Sequence, residues 1–546
     1  ASDLDYTSTS ALSLNNGTIK DAAGNNATLI LPTVGSSSSL AGSSAFVIDG
    51  GSYFYTQIGS DIDGEAASDS SGWSVSLSAD GTVLAIGAKS NDGNGTGANT
   101  GHTRIYQYSS GSWSQLGEDI NGEAAGDGSG HSVSLSDDGT IVAIGSYGND
   151  DNGENSGHTR IYQYSSGTWS QLGADIDGKA ARESAGTSVS LSADGSVVAI
   201  GTEGQILNEN GRLICLTRIY QYSSGSWAQL GADIVGEPNS SGYAGHQVAS
   251  LSSNGTIVAI GAYRSDGNGK NNGRARIYQY SSGSWSQLGA DIVGEAAEDN
   301  LGLAISLSAD GSVVAIGARG NDDNGTQSGH VRIYQNVNNT WTKIGDDIDG
   351  EAAGDGSGYS VSLSANGSVV AIGAHGNDGN GTNSGHVRIY QNINNTWTKI
   401  GEDIDAEAAW DSSGYSVSLS DDGTIVAIGA PYNDGAGIES GHVRIYQASD
   451  TPPTPTINAV TSTTADGSYT IGDAISISVA FSQSVDVVTT TGIPTLQLNT
   501  GSTKRDAIYT SGSGSSTLVF SYNVQAGDTA SDLDYTSTSA LSLNNG

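Results

Sequence analysis

The stretch SVSLSADGTVLAIGA at residues 74–88 decides the fold, because closely related copies of it recur along most of the chain. Each copy carries one leucine at the same place, and successive leucines are separated by 58, 56, 60, 56, 56 and 56 residues. The seven leucines are Leu77, Leu135, Leu191, Leu251, Leu307, Leu363 and Leu419. A near-constant period of this length is typical of a repeat architecture, so the repeat is interpreted before any single motif.

Each repeat contains four short runs of β-forming residues. VSLS is followed by a hairpin such as A-D-G-T, then by V-A-I-G-A, by H-V-R-I-Y-Q, and by a run beginning near a tryptophan. Four short strands with Gly and Asn turns between them predict one blade of a β-propeller. We therefore predict an all-β fold with a seven-bladed β-propeller over residues 50–448.

The fourth run also predicts how the ring closes. It follows its own blade six times, whereas the seventh copy, SYFYTQIG at residues 52–59, precedes the first blade and has Tyr55 in the tryptophan position. We expect this N-terminal strand to complete the last blade, a device that leaves no sheet edge exposed.

The two ends of the sequence are identical over 17 residues. ASDLDYTSTSALSLNNG occurs at residues 1–17 and again at 530–546, a shift of 529 residues. The identity predicts a natural chain built from 529-residue units in tandem, with a local duplication at the two termini of one protein as the alternative. The β-type runs of 457–546 and 1–49 then form one β-sandwich split across the unit boundary, completed within one chain or by a neighbouring one. A Pro-rich linker at 449–456 joins it to the propeller.

The repeat resembles a known family. The pattern G-x-S-V-…-D-G-…-V-A-I-G-A, as in GYSVSLSDDGTIVAIGAP at residues 414–431, resembles FG-GAP repeats, with the family's Phe replaced by Trp73, His131, Tyr359 or Tyr415. This resemblance implies a seven-bladed head like that of integrin α subunits and microbial surface proteins. GDAISISVAFS at 472–482 resembles bacterial Ig-like domains of large repetitive surface proteins. Both resemblances imply an extracellular or cell-surface location.

Composition excludes several classes of protein. The chain has 58 acidic and 20 basic residues, a formal net charge of −38, and a single cysteine. So acidic a chain is not expected to bind nucleic acid, one cysteine excludes a disulfide framework, and no apolar run is long enough to span a membrane. The usual nucleophile, zinc-protease and phosphate-loop motifs are missing from the sequence, and the repeats place small residues in the expected central channel. We therefore expect no enzyme activity and no required cofactor.

Asn- and Asp-rich loops between the second and third runs are candidate cation sites. Loops such as NDGNG at 91–95 offer the oxygen ligands that Ca²⁺ prefers. The alternative is a turn that needs no ion, and the calcium loop of the resembled family is reduced here to short hairpins, so calcium is an optional ligand. The candidate residues are Asp92, Asp150, Asp322, Asp378 and Asp434.

Two further groups of residues are candidates for modification and assembly. N-x-S/T sequons predict N-glycosylation of an extracellular protein, and basic side chains in an acidic chain are candidates for docking an acidic neighbour, with drift of the repeat as the alternative. The sequons are Asn16, Asn26, Asn94, Asn239, Asn254, Asn324, Asn338, Asn366, Asn380 and Asn394. The basic candidates are Lys179, Arg182 and Arg212.

These observations predict a structural, non-catalytic and glycosylated subunit of a secreted or cell-surface filament, whose partner is the next unit of itself. The alternative is an adhesin whose propeller rim binds a protein or glycan, with Trp73 and Trp410 as the places to look. The recurrent His and Arg of G-H-x-R occur in too many repeats to be catalytic, and we expect the arginines to pair with a recurrent Glu between or within blades.

Overall fold

The computed structural model describes residues 54–542, apart from 94–96, 204–205, 208–212, 237–246, 267–268, 450–455, 486, 488 and 490–491. The described residues form 43 β-strands and no α-helix. The chain divides into two compact units, Ala1–Thr451 and Pro452–Gly546. The expected strands at 1–49 and most of the linker at 449–456 lie outside the described residues. Among the described residues, no helix could cross a membrane.

The described residues of the first unit form seven antiparallel sheets of five strands each, numbered here along the chain. β1 (Phe54–Gln57) and β2 (Ile62–Asp63) come first and belong to sheet 7. Sheet 1 holds β3 (Ser74–Leu77), β4 (Val83–Ala88), β5 (His102–Ser109), β6 (Ser112–Gln115) and β7 (Ile120–Asn121). Sheet 2 holds β8 (Ser129–Leu135), β9 (Ile141–Ser146), β10 (His158–Ser165), β11 (Thr168–Gln171) and β12 (Ile176–Asp177). Sheet 3 begins with β13 (Ala185–Leu191) and β14 (Val197–Thr202), after which β15 (Ile206–Leu207) and β16 (Leu213–Ile214) pair separately. It continues with β17 (Leu216–Ser223), β18 (Ser226–Gln229) and β19 (Ile234–Val235).

The remaining sheets follow the same order. Sheet 4 holds β20 (Gln247–Leu251), β21 (Ile257–Ala262), β22 (Arg274–Ser281), β23 (Ser284–Gln287) and β24 (Ile292–Val293). Sheet 5 holds β25 (Ile305–Leu307), β26 (Val313–Ala318), β27 (His330–Val337), β28 (Thr340–Lys343) and β29 (Ile348–Asp349). Sheet 6 holds β30 (Ser360–Leu363), β31 (Val369–Ala374), β32 (His386–Ile393), β33 (Thr396–Lys399) and β34 (Ile404–Asp405). Sheet 7 holds β35 (Ser416–Leu419), β36 (Ile425–Ala430) and β37 (His442–Ser449), and β1 and β2 both pair with β37.

Each sheet has one more strand than the four expected from the sequence. In sheet 1 the additional strand is β7, which pairs with the first two residues of β5 at His102–Asn121 and Thr103–Ile120. A strand of two residues shows no alternation of apolar and polar side chains, so its pattern could not be recognised. The short strand matters because it carries acidic residues to the beginning of the third strand.

Hydrogen bonds join every sheet to the next and the last to the first. The N–H of each repeat leucine donates to a serine Oγ of the preceding sheet at 2.9–3.0 Å, from Leu135 to Ser76 and onward round to Leu77 and Ser418. A second set runs along the hairpins between backbone groups, from Ala79 to Asp137 and finally from Asp421 back to Ala79. The first unit is therefore a set of small antiparallel sheets bonded in a circle, consistent with a β-propeller.

The apolar core lies between neighbouring sheets. Strand β4 is buried along its whole length because sheets cover both of its faces. Leu84 and Ile86 of sheet 1 belong to the same cluster as Ile425 and Ile445 of sheet 7. Removing either sheet would expose the other's apolar side chains, so each sheet depends on both neighbours.

The described strands of the second unit form a single six-stranded sheet. It is built from β38 (Ile457–Ser462), β39 (Ala474–Val485), β40 (Thr495–Leu498), β41 (Arg505–Ser511), β42 (Ser515–Asn523) and β43 (Leu541–Ser542). The order across the sheet is β38-β39-β42-β41-β40-β43. Its core is formed by side chains such as Val479, Leu496 and Phe520. The six described strands belong to one hydrogen-bonded sheet, and the two-layered sandwich stays a prediction.

Candidate functional site

Five recurrent arginines connect neighbouring sheets through ion pairs. Arg160 on β10 is buried, and its Nη1 lies 3.4 Å from Oε1 of Glu123, which follows the fifth strand of the preceding sheet. Its Nη2 donates to the carbonyl of Asn121 on that strand at 2.7 Å. Equivalent arginine–glutamate pairs at 3.1–3.9 Å are Arg104–Glu65, Arg332–Glu295, Arg388–Glu351 and Arg444–Glu407. The expected pairing of arginine with the recurrent glutamate is therefore present and joins adjacent sheets.

The arginine of sheet 3 is also paired with a glutamate, but this glutamate stands at a different position of the repeat. Lys179 stands where the other repeats have Glu, and Glu183, four residues later, stands where five of the other six have Asp. Glu183 is fully buried and accepts a hydrogen bond from Nη1 of Arg218, whose Nε lies 3.0 Å from Asp233. Although burial opposes it, Glu183 and Asp233 hold the pKa of Arg218 above its ordinary value. The longer Glu183 side chain thus replaces the missing recurrent glutamate.

A histidine and two or three carboxylates come together beside each of the five arginine–glutamate pairs. In sheet 2, Nδ1 of His158 lies 4.0 Å from Glu123 Oε2 and 3.9 Å from Asp175 Oδ2. One ligand atom from each of Glu123, Asp151, His158 and Asp175 lies within 4.8 Å of the others. The other four clusters are Glu295–Asp323–His330–Asp347, Asp61–Glu407–His442, Glu65–His102–Asp119 and Glu351–His386–Asp403.

The histidines of these clusters are buried, whereas most of the acids are half-buried or exposed. Burial, together with the neighbouring Arg104, lowers the pKa of His102 to about 4. The pKa of His158, His330, His386 and His442 is lowered for the same reasons. Burial raises the pKa of Glu65 and Glu123 despite the arginines beside them. The imidazoles are therefore neutral at physiological pH and available as ligands.

The structure places the five predicted loop aspartates in turns. Oδ1 of Asp150 accepts the backbone N–H of Asn155 at 2.7 Å, and Asp322 and Asp378 accept equivalent bonds at 2.8 Å. Asp92 and Asp434 do the same for Asn99 and Glu439. To the described carboxylate–histidine clusters, these loops contribute only the acid that follows the predicted aspartate, which is Asp151 or Asp323. Calcium binding by the predicted five residues stays a prediction.

Six of the ten sequons lie in the described part of the chain. Asn324 and Asn380 are exposed, but the Nδ2 of each donates two hydrogen bonds to backbone carbonyls at 2.8–3.0 Å. Asn254, Asn338, Asn366 and Asn394 are exposed on hairpins, and no such Nδ2 bond is found at these four among the described contacts. The remaining sequons, Asn16, Asn26, Asn94 and Asn239, lie outside the described residues.

Two of the three predicted docking residues face acids of their own chain. Arg182 Nη2 lies 2.9 Å from Glu154 Oε2, and Lys179 Nζ lies 3.4 Å from Asp233 Oδ1. All four side chains are partly or largely exposed. Arg212 lies outside the described residues, so an interface at these residues stays a prediction.

Aromatic side chains at the beginning of the first strands form an unexpected cluster. The Trp73 and Tyr415 ring centroids are 4.5 Å apart, and Tyr415 and Tyr359 are 4.8 Å apart. His131 lies 5.9 Å from Trp73, and Lys89 Nζ lies 3.0 Å above the Trp73 ring. Burial lowers the pKa of Lys89 to about 8, against the opposing charge of Glu203. Thr187 and Leu303 occupy the equivalent position in sheets 3 and 5, so the aromatic cluster lies to one side. The expectation of small residues in a central channel stays a prediction.

Comparisons with known proteins agree with the repeat pattern. The FG-GAP repeat model matches residues 121–162 and 348–390. No curated protein sequence matches the chain. Among solved structures, a protein assigned as a 6-phosphogluconolactonase from Bacteroides uniformis has 13% identity, a TM-score of 0.46, and coverage of 67% of this chain and 92% of its own. The Dos1 propeller has 11% identity, a TM-score of 0.39, and coverage of 72% and 95%. The chain thus carries two FG-GAP repeats within an all-β fold of small antiparallel sheets consistent with a β-propeller.

Proposed function

We propose that this chain is a structural, non-catalytic unit of an extracellular or cell-surface filament made of tandem 529-residue units. The observation that carries the proposal is the identity of residues 1–17 and 530–546. We call residues 530–546 the seam segment. FG-GAP repeats typically occur in extracellular or cell-surface proteins, which supports the location.

Contacts of the seam segment support a domain that continues from one unit into the next. Leu541 pairs with Leu496 at one edge of the second unit's sheet. The carbonyl of Ala540, which is buried, accepts the N–H of Gln497 at 3.0 Å, and the carbonyl of Asp534 accepts that of Asn499 at 2.7 Å. An edge strand has a free row of N–H and C=O groups that the next strand can use. We propose that the strands expected at 18–49 continue this sheet into an Ig-like sandwich.

The first unit would serve as a rigid spacer. We propose that its seven sheets are the blades of a closed seven-bladed propeller. A propeller in which every sheet is bonded to both neighbours deforms little, which suits the shaft of a fibre. The net charge of −38 would keep neighbouring fibres apart. N-glycans on exposed hairpins would add to this effect.

The experiment that tests the proposal is a permuted chain in which residues 50–546 are followed directly by 18–49. If the second unit is completed across the seam, the permuted chain contains the whole domain, and the second unit should unfold at a higher temperature than in the 1–546 chain. The 1–546 chain should also self-associate as its concentration rises, because its N-terminal strands can complete a neighbour. Identical melting profiles, with both chains monomeric at all concentrations, would contradict the proposal.

The aromatic cluster favours an adhesin as the second candidate function. Trp73, Tyr359 and Tyr415 meet on one side of the circle of sheets, with the ammonium group of Lys89 beside them. Trp410 is separately 61% exposed. Aromatic faces with a neighbouring cation suit a glycan or a protein side chain. Binding to immobilised glycans that is lost in Trp73→Ala but kept in Trp410→Ala would favour this function over a purely structural one.

A further inference from the structure

We propose that the cluster formed by Glu123, Asp151, His158 and Asp175, called here the His158 cluster, binds a divalent first-row transition-metal ion of the Zn²⁺ type. The residues come from three segments that meet where sheets 1 and 2 adjoin. The proposed structural role needs no metal, and the inference does not depend on it.

The geometry is close to that of a metal site. The Nδ1 atom of His158 lies 4.0 Å from Glu123 Oε2 and 3.9 Å from Asp175 Oδ2, and the four potential ligand atoms lie within 4.8 Å of one another. Ligands about 2.0–2.2 Å from a tetrahedral ion are separated by about 3.4 Å. The two histidine–carboxylate distances would therefore contract by roughly half an ångström to form the site, and the most widely spaced pair of ligand atoms by up to about 1.4 Å. The side chains of Glu123 and Asp175 are 45% and 26% exposed and can make this movement.

The histidine supplies an observation independent of the acids. The His158 side chain is 0% exposed, and neither of its ring nitrogens has a hydrogen-bond partner in the described structure. A buried polar atom without a partner destabilises the folded state. A metal ion on Nδ1 would remove this cost for that nitrogen. One imidazole with carboxylates suits zinc, manganese or iron, whereas calcium prefers oxygen ligands alone.

Glu123 can serve the arginine and the metal at the same time. Its Oε1 faces Arg160 Nη1 at 3.4 Å, while its Oε2 faces His158. Three carboxylates and one guanidinium leave a local charge of −2, which a divalent cation would neutralise. The ion pair between the sheets is thus compatible with a bound ion.

The two sheets without the histidine provide a comparison within the same molecule. Leu216 and Arg274 stand at the histidine position in sheets 3 and 4. In each of these sheets a basic side chain forms an ion pair with the aspartate that corresponds to Asp175. Lys179 Nζ is 3.4 Å from Asp233, and Arg274 Nη1 is 3.0 Å from Asp291. In all three sheets a neutral glutamine amide also donates to this aspartate, from Gln171, Gln229 and Gln287. Among the described contacts of sheet 2, no lysine or arginine joins that amide on Asp175. A positive charge is therefore favoured at this place, and in sheet 2 a metal ion would supply it.

The five clusters are not equivalent. In the His330 and His386 clusters, Lys343 and Lys399 lie 2.6 Å from the aspartates. These ammonium groups would compete with a metal ion. The His102 and His442 clusters have three members instead of four, because Gly93 and Gly435 stand at the position of Asp151. The His158 cluster is thus expected to bind most tightly.

The test is calorimetric titration of the full 546-residue chain with Zn²⁺ and, separately, with Ca²⁺, after removal of metal with a chelator. Two variants copy residues that other repeats tolerate: His158→Leu follows Leu216, and Asp151→Gly follows Gly435. His158→Leu should lose the tightest Zn²⁺ equivalent, with affinity at that site falling at least about 100-fold, and Asp151→Gly should weaken it about tenfold. The control Asp150→Asn, which changes the neighbouring turn residue outside the cluster, should bind Zn²⁺ as the parent does.

Several results would overturn the proposal. One is an unchanged Zn²⁺ stoichiometry and affinity in both His158→Leu and Asp151→Gly. Another is Ca²⁺ binding as tight as that of Zn²⁺ and indifferent to His158→Leu. Loss of the tight equivalent in Asp150→Asn would instead assign the ion to the loop. Each variant introduces a residue that another repeat has at the same position, so both variants are expected to fold. If one of them does not fold, Zn²⁺ binding by the other still tests the proposal.

Discussion

In sheet 3, Glu183 replaces the recurrent glutamate and is buried. We therefore predict that Glu183→Gln destabilises the protein much more than Glu123→Gln does. The Glu183 side chain is 1% exposed, and besides Arg218 it accepts the backbone N–H groups of Lys179 and Ala180 at 2.6 and 3.1 Å. Removing one partner of a buried ion pair costs about 3–5 kcal/mol. Because Arg218 keeps Asp233 at 3.0 Å, we expect the lower end, about 3 kcal/mol.

The matched control has the same chemistry at a half-exposed position. Glu123 is 45% exposed and lies 3.4 Å from Arg160, so its substitution by Gln should cost about 1 kcal/mol or less. Urea unfolding followed by the fluorescence of the eight tryptophans gives the free energy of unfolding for each variant. Equal losses in Glu183→Gln and Glu123→Gln would refute the reasoning that burial makes the Glu183–Arg218 pair the more costly one to break.

Three further predictions concern titration, reactivity and modification. Burial and Arg319 lower the pKa of His375 to about 4, below its ordinary value near 6.5, so the folded state favours the neutral ring. Protonation of His375 therefore has little effect on the free energy of unfolding above about pH 6.5. It lowers this free energy as the pH falls towards 4, by about 2 kcal/mol at pH 5. The urea midpoints of unfolding at about pH 6.5 and pH 5 should therefore differ less in His375→Asn than in the parent. An equal difference in the two proteins would count against a lowered pKa of His375. Cys215 is 3% exposed and burial raises the pKa of its thiol, so a thiol reagent should label it at least about 1000-fold more slowly in the native protein than in urea; rapid native labelling would contradict its buried position. In a host that adds N-glycans, glycopeptide mass spectrometry should find sugar on Asn366 and not on Asn380, whose Nδ2 is bonded to two carbonyls; the reverse pattern would show that these bonds do not protect it.

The sequence predicted the fold best at residues that recur with the period of the repeat. The seven leucines correctly located the sheets because each lies on the first strand, where its N–H bonds to the preceding sheet. The fifth strands were missed because two residues carry no periodicity. The arginine–glutamate pairs were predictable because both residues recur in nearly every repeat.

The carboxylate–histidine clusters were harder to predict than the pairs. Glu123, His158 and Asp175 come from separate segments that meet only through pairing between strands and packing between sheets. The signal that could have found them is the aspartate that precedes isoleucine in every repeat. The aromatic cluster depends on closure of the circle, because Trp73 and Tyr415 belong to sheets 1 and 7 and lie far apart along the chain.

The central claim, a tandem structural unit, is tested most directly by electron microscopy of the native material together with its intact mass. We expect a regular fibre with one globular density for each 529-residue repeat and a mass far above 55.2 kDa. Discrete particles with a mass near 55.2 kDa would contradict it and would show that the terminal identity is a local duplication.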